Sequence, residues 1–346
     1  MEHIYPYFYK TFRCSASQCP DNCCFGWGVV VDDDTAAFYE SLDTPLGEAL
    51  RSAMMIDEDG DRIFRMDSGH CPLLTENNLC QVELELGHEA PCATCRKFPR
   101  ITQDYGSFIE YGLTLACPEA ARMILLQQGP WALEKEATDE AEEPADYDTA
   151  FLQELLEIRQ QLLSLAWDPK TSPTQTLSLC LSLGQWYQNQ VDGIPSAPWE
   201  NTPLPCAPAH FSDLLQAHLD LEILTEEWRE LLTQGLSCVD TPLPELPKTP
   251  MLRNLITYYL YHYWLQAVSD YEPCLRLQLL AVHWIVVCHL ARVCLAQEGH
   301  LEDDRLIRLF QLYSKEVEHD SVNRDELMDL LAEDPRFSSE ALTGLL

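Results

Sequence analysis

"FRCSASQCPDNCCFGWGVVVD", residues 12–32, sets four cysteines within eleven residues and follows them at once with Trp27 and a valine run. So many thiols in one place serve disulfides, a structural zinc, an iron-sulfur cluster or a catalytic thiol. The choice decides whether the N-terminal part of the fold is built around metal or around an ordinary apolar core.

The first ten residues, "MEHIYPYFYK", have neither a basic start nor an apolar run ending in small residues, which predicts a cytoplasmic protein without a secretory signal. A reducing compartment disfavours disulfides, and 15 cysteines are an odd number to pair. With 56 acidic against 22 basic residues the formal net charge is -34, which repels nucleic-acid phosphates and anionic lipid surfaces. Such a surface attracts lysine-bearing protein partners or simply confers solubility. Much of the charge lies in "EKEATDEAEEPADYD", residues 134–148, too poor in apolar residues to order itself and expected to be exposed. Three regions follow: a cysteine-rich metal-cluster region over 1–130, an acidic linker over 131–148, and a helical domain over 149–346.

Beyond the linker the periodicity is helical. "FLQELLEIRQQLLSLAW" repeats leucines at offsets of three, four and seven and stops before Pro169. "SPTQTLSLCLSLGQWYQNQ" opens with a serine cap and a first-turn proline. Pro-rich connectors bracket a further helical stretch over 211–234. Two long runs, residues 251–268 and 272–299, are apolar nearly all round, as in the buried helices of a bundle. The second resembles a membrane span, but Arg276, His283, His289 and Arg292 interrupt it and predict a core helix, so no membrane span is expected. The fold class is therefore mainly α, with an irregular cysteine-cluster N-terminal region packed on a C-terminal helical bundle.

Nine cysteines precede the linker; the other six, Cys180, Cys206, Cys238, Cys274, Cys288 and Cys294, are scattered singly and read as core or loop filler. Thiolates select zinc or iron-sulfur clusters over hard cations. Cys92 and Cys95 make one zinc-like pair and Cys19 with Cys23 another. The adjacent Cys23 and Cys24 and the singletons Cys14, Cys71, Cys80 and Cys117 exceed what one zinc needs, and a four-cysteine cluster fits as well. A Cys-x3-Cys-x2-Cys radical pattern is absent, since Gly26 stands where its third cysteine would be.

These blocks carry a resemblance. "FRCSASQCPDNCCFGWGVVVD", "CPLLTENNLCQVELELG", "CRKFPR", "YGLTLACPEAAR" and, far downstream, "YSKEVEHDSVN" occur in the order seen in the flagellin lysine N-methylase family. The N-terminal blocks are also similar to a broader family of zinc- or iron-chelating cysteine domains. The resemblance implies a cytoplasmic lysine N-methyltransferase acting on flagellin, with S-adenosylmethionine as methyl donor and an iron-sulfur cluster; 4Fe-4S is the favoured form and zinc the alternative. The family's cysteine pattern falls on Cys14, Cys19, Cys23, Cys24, Cys71, Cys80, Cys95 and Cys117; Cys92 lies outside it and reads as a spare thiol. A rival reading is a metal-binding module that transfers electrons or binds a partner without transferase activity.

Methyl transfer to lysine needs a neutral amine, hence a desolvated site or a positioned base, and alignment with the donor. Glu110, Tyr111 and Glu119 stand near the cysteine blocks as candidate bases or orienting groups; Glu119 also suits a helix first turn wherever it lies. Arg96 and Arg100, beside Cys95, suit the donor carboxylate, a thiolate-bound cluster or a surface ion pair. Trp27 suits an adenine, a cluster cover or core packing. Glu318 and His319 sit at an expected helix end, where capping explains them and the resemblance adds a cofactor-binding role. No Gly-x-Gly-x-x-Gly follows a strand, so any donor site is built from helices and the cysteine region instead of a doubly wound sheet.

Overall fold

The structure, a computed structural model, describes residues 1–57, 60–66, 69–139, 146–246 and 250–346. The chain forms two compact units. The helical unit comprises Met1–Thr11, Thr102–Ala116 and Ala120–Leu346; the cysteine unit comprises Phe12–Ile101 and Cys117–Glu119. Residues 1–11, 102–116 and 120–130, which the sequence reading assigned to the cysteine region, thus belong to the helical unit.

The strands are β1 (Glu2–Pro6), β2 (Met54–Ile56), β3 (Arg62–Phe64), β4 (Arg100–Asp104), β5 (Phe108–Leu113) and β6 (Leu133–Ala137). β2 and β3 form an antiparallel pair in the cysteine unit. The larger sheet has the order β4-β5-β1-β6. β1 runs parallel to β5, with Ile4 opposite Glu110, and antiparallel to β6, with Pro6 opposite Leu133. β6 lies inside the span expected to be an acidic linker, and the physical reason is pairing that composition does not report. Its backbone joins the β1 ladder, Lys135 meets Glu2 at 2.8 Å, and Glu136 accepts from Lys10 at 2.9 Å and from the Tyr5 hydroxyl at 3.0 Å. Just upstream, buried Trp131 donates its indole N–H to Asn254 Oδ1 at 3.1 Å. Residues 140–145 of the expected linker lie outside the described residues.

Helices make up most of the rest, in agreement with a mainly α chain. The helix Pro173–Val191 begins as its sequence dictates: Ser172 Oγ accepts from the Gln175 N–H at 3.2 Å, and Gln175 Oε1 accepts from the Ser172 N–H at 2.9 Å. The helix Pro273–Glu298 is long and apolar enough to cross a membrane, yet it is buried along most of its length inside the helical unit. It runs against Pro173–Val191, where Gly184 lets the two approach: a Cβ there would stand 2.6 Å from Leu277 Cδ1.

A tighter approach joins sheet and helix. A Cβ on Gly112 of β5 would fall 1.9 Å from Cε1 of His262, itself buried at the end of the helix Met251–His262. Gly112→Ala is therefore expected to destabilise the helical unit by about 1–3 kcal/mol through overpacking, visible as a lowered thermal midpoint. An unchanged midpoint would contradict this packing.

The cysteine unit has an apolar core of its own, in which Val29, Val31, Tyr39, Leu50 and Phe64 join the buried thiols Cys71 and Cys92. Asp32 organises one edge. One carboxylate oxygen caps the helix Asp33–Ser41 by accepting from Thr35 N at 3.0 Å, and the other accepts from Ala93 N at 2.8 Å. The Ala93 bond, with those at Thr35, holds its carboxyl down at about 2. Part of the apolar packing of this unit thus comes from the cysteine blocks themselves.

Candidate functional site

Two groups of chemistry-bearing side chains stand out, one in each unit. In the cysteine unit, tight turns at Gly26 (φ +93) and Gly69 (φ +76), conformations that glycine adopts without strain, fold two chain segments together. The Gly26 N–H donates to the Gly69 carbonyl at 3.1 Å and the Cys71 N–H to the Cys24 carbonyl at 2.8 Å. The Cys24 thiol is hydrogen-bonded to Cys23 and Cys71, contacts that raise its pKa, while the bond with Cys24 lowers that of Cys71. Cys92 is lowered to about 7 by its bond with Cys95, which is raised by the same contact. Cys95 also feels Cys23 and Cys80; Cys71 feels Cys92 and Cys23. Burial raises Cys80, to which Cys71 is again a neighbour.

Six sulfurs, those of Cys23, Cys24, Cys71, Cys80, Cys92 and Cys95, are thereby brought into one neighbourhood. Cys92, which the sequence reading set aside as spare, belongs to it. Cys14 and Cys19 neighbour one another on the preceding loop, and Cys117 is buried at the head of the helix Pro118–Leu125. Among the described residues, no three Cys, His, Asp or Glu side chains are arranged to hold a metal ion. The donor chemistry still suits a soft metal, because every member is a thiol.

The other residues expected beside the cysteines are placed as follows. Trp27 donates to the Cys23 carbonyl at 3.1 Å, packs on Phe98 and covers the apolar core of its unit. Arg96 donates to the carbonyls of Glu89 (3.1 Å) and Pro91 (2.5 Å), fixing the loop that presents Cys92. Arg100 lies over the Phe12 ring at 5.3 Å. Glu119 occupies the first turn of Pro118–Leu125, the position favoured by the helix dipole. Glu110 and Tyr111 belong to the helical unit. Glu110 is buried in a two-pronged ion pair with Arg159 (2.8 and 2.6 Å), which engages both carboxylate oxygens, and Tyr111 Oη lies 3.2 Å from His3 Nδ1.

The second group is built on "YSKEVEHDSVN". Between the helices Asp303–Tyr313 and Ser321–Glu333 the chain makes a π-helical turn, Ser314–Glu318, a rare geometry found often at functional sites. The turn buries Ser314, Lys315, Glu316 and Glu318 together. Glu316 has a structural account: it accepts from the Leu224 N–H at 2.8 Å and from the Thr225 hydroxyl, while Asn323 Nδ2 donates to the Glu316 and Glu222 carbonyls, both at 2.7 Å.

Glu318 differs. Its Oε1 accepts from the hydroxyls of Tyr258 and, at 2.6 Å, Tyr263. Its Oε2 is buried and, among the described residues, has no partner in hydrogen-bonding geometry; it lies 3.9 Å from His283 Nδ1. That imidazole is held neutral by burial, hydrogen-bonded at 2.8 Å to the Tyr259 hydroxyl and stacked at 3.9 Å on Tyr313. Burial lifts Glu318 to about 7, against the Tyr258, Tyr263 and Ser314 hydroxyls and the Arg324 charge, all of which favour the carboxylate. A small cavity adjoins it, lined by Tyr259, Tyr263, Leu279, Tyr313, Val317, Glu318 and Arg324. His319, the other residue singled out here, lies outside this ring as an exposed residue whose N–H donates to the Ser314 carbonyl at 2.8 Å.

Sequence reasoning found Glu318 but missed its ring. The signal was available in "TYYLYHYWL": four tyrosines on an apolar helix and the turn after it carry hydroxyls into a core, where each needs a partner.

Comparison with known proteins bears on the second group. Residues 209–345 match the FliB lysine N-methylase C-terminal domain family, a span that contains the π-turn and every residue around Glu318. Over 134 residues the chain is 34% identical to proteins named Lysine-N-methylase from Salmonella typhimurium (strain LT2) and Salmonella choleraesuis (strain SC-B67), covering 37% of this chain and 33% of each relative. The match thus spans about a third of the length of those two relatives. The same identity over the same length relates it to the Flagellar biosynthetic protein FliU of Salmonella muenchen, of which 79% is covered. No solved structure matches.

Proposed function

As the chain belongs to the FliB lysine N-methylase family, we propose that it is a cytoplasmic lysine N-methyltransferase that moves the methyl group of S-adenosylmethionine onto lysines of flagellin. The observation that carries this reading is the coincidence of the matched domain with a buried, tyrosine-ringed carboxylate. Transfer to an amine requires exclusion of water, a base for the ammonium proton and an aligned acceptor. The helical unit offers the first two at Glu318. A net charge of -34 favours approach of lysine-bearing surfaces and disfavours nucleic acid.

The six gathered thiols support an iron-sulfur cluster as resident cofactor, with zinc as the alternative. Four of Cys23, Cys24, Cys71, Cys80, Cys92 and Cys95 would hold a 4Fe-4S cluster, and the bound group would supply folding free energy and a one-electron couple. In that arrangement Arg96 acts through the loop it fixes, and Trp27 shields the thiols from water.

Two measurements test the proposal. Flagellin-dependent conversion of S-adenosylmethionine to S-adenosylhomocysteine should follow addition of the anaerobically purified chain; turnover independent of flagellin, or none by folded and metallated protein, would overturn it. Iron analysis should return about four atoms per chain. Cys24→Ser, Cys92→Ser or Cys95→Ser should lower that content, whereas Cys180→Ser, in the helical core, should not. Equal losses from both sets would contradict the assignment.

A further inference from the structure

We propose that the cavity beside Glu318 receives the head group of the target amine: a lysine-type ammonium enters it, hydrogen-bonds to Glu318 Oε2 and lies against the rings of Tyr259, Tyr263 and Tyr313. The identity of the amine's owner rests on the methyltransferase reading; the site itself rests on four observations.

First, the two carboxylate oxygens are unequally used. Oε1 is occupied by two tyrosine hydroxyls, whereas Oε2 is buried and, among the described residues, has no donor in hydrogen-bonding geometry; the buried Ser314 hydroxyl acts on the carboxylate but completes no such bond. A buried carboxylate oxygen without a donor is costly, and an N⁺–H group would relieve it with a charge-assisted bond. Second, among the described residues no permanent cation pairs with that oxygen, although the Arg324 charge acts on the carboxylate from further off. His283 is the nearest nitrogen base, 3.9 Å away, with Nδ1 already engaged by Tyr259 and the ring kept neutral. Arg324 lines the cavity, but its side chain is 30% exposed and shares Asp325 Oδ1 at 3.3 Å. It marks the side facing solvent. Third, the walls are aromatic, and tyrosine faces attract a desolvated cation. Fourth, the cavity measures about 10 Å³, roughly the space one water needs, which suits a single –NH3⁺ group.

The chemistry balances. One N–H bond of the ammonium breaks, its electron pair stays on nitrogen, and the proton forms an O–H bond on Oε2. The amine lone pair is then free to attack the donor methyl carbon; a C–N bond forms, and the S–C bond breaks with its pair returning to sulfur. Burial assists from both sides, since it disfavours the charged forms of lysine and glutamate alike and brings their proton affinities together.

The test is titration of the full chain with Nα-acetyl-lysine amide and with Nα-acetyl-norleucine amide, which lacks the ammonium. The lysine compound should bind at least about tenfold more tightly, and Glu318→Gln should remove the preference. Equal binding of the two, or a preference that survives in Glu318→Gln, would overturn the assignment. Fluorotyrosine-labelled wild-type chain gives an independent reading if the glutamine variant does not fold. Signals from Tyr259, Tyr263 and Tyr313 should shift with the lysine compound only; unshifted signals would overturn the proposal. Flagellin methylation that proceeds while lysine-amide binding ignores Glu318 would refute this site and leave the enzyme reading standing. Glu318-dependent binding without any methylation would do the reverse.

Discussion

Replacing Arg159 by alanine should cost the folded chain about 3–5 kcal/mol, because it strands the Glu110 carboxylate in the interior without its counter-charge. The pair is buried on both sides, at 8% and 5% side-chain exposure, and ties the centre of the sheet to the helix Thr149–Ala166 through two hydrogen bonds. Arg159 also stacks on Tyr261 at 5.0 Å, so the truncation removes packing as well as charge. Chemical denaturation should show the midpoint falling with little change in slope. The double variant Arg159→Met, Glu110→Leu should recover much of the loss, since well-packed apolar replacements of a buried pair are often neutral. A single variant within 1 kcal/mol of wild type would show that the pair is not buried as described.

The second large effect is a pH dependence carried by Glu318. Its folded pKa is raised to about 7 from 4.5, so between those values the folded chain binds the proton more tightly than the unfolded chain does. For a raised carboxyl the penalty is absent below the unfolded value and fully present above the folded one. Stability therefore falls as pH rises across this window, by about 3 kcal/mol from this group. Glu318→Gln cannot titrate, and the difference in unfolding free energy between variant and wild type should move in the variant's favour by about that amount between acid and mildly alkaline pH. The groups facing Glu318 are Tyr258, Tyr259 and Tyr263 from one side, His283 from the helix Pro273–Glu298, Tyr313 on the preceding helix, Ser314 at the start of the turn and Arg324 beyond it. The tyrosines are all raised above their ordinary value by burial and stay protonated across the window. Burial lowers His218 to about 4 and His262 to about 3, which works in the opposite sense, destabilising the fold as pH falls, but is common to both proteins. A difference that stays flat across the window would mean that Glu318 is solvated.

What the sequence discloses here depends on how local the cause is. The start of Pro173–Val191 is written in Ser172, Pro173 and Gln175, and the burial of Pro273–Glu298 in its all-round apolarity; both are readable because neighbours within a few positions decide them. β1 is not readable, because its partners stand at Phe108 and Ala137, more than 100 residues away, and a five-residue strand has little periodicity of its own. β6 is concealed by acidic composition that two lysines and a backbone ladder offset. The cysteine blocks announce soft-ligand chemistry, but only folding shows that Cys92 joins Cys95 and Cys71, since spacing along the chain says nothing of which segments meet. Likewise Glu318 is marked by its block, whereas the tyrosines and His283 that surround it come from three helices, Met251–His262 with the turn after it, Pro273–Glu298 and Asp303–Tyr313, and pass as ordinary core residues.

The most direct test of the whole account follows a labelled methyl group. Flagellin incubated with the anaerobically purified full chain and S-adenosylmethionine bearing a deuterated methyl should gain deuterium-labelled methyl increments, which fragmentation assigns to lysine side chains and which require both chain and donor. Flagellin that stays unmodified in the presence of folded, metallated chain, or label found on residues other than lysine, would contradict it.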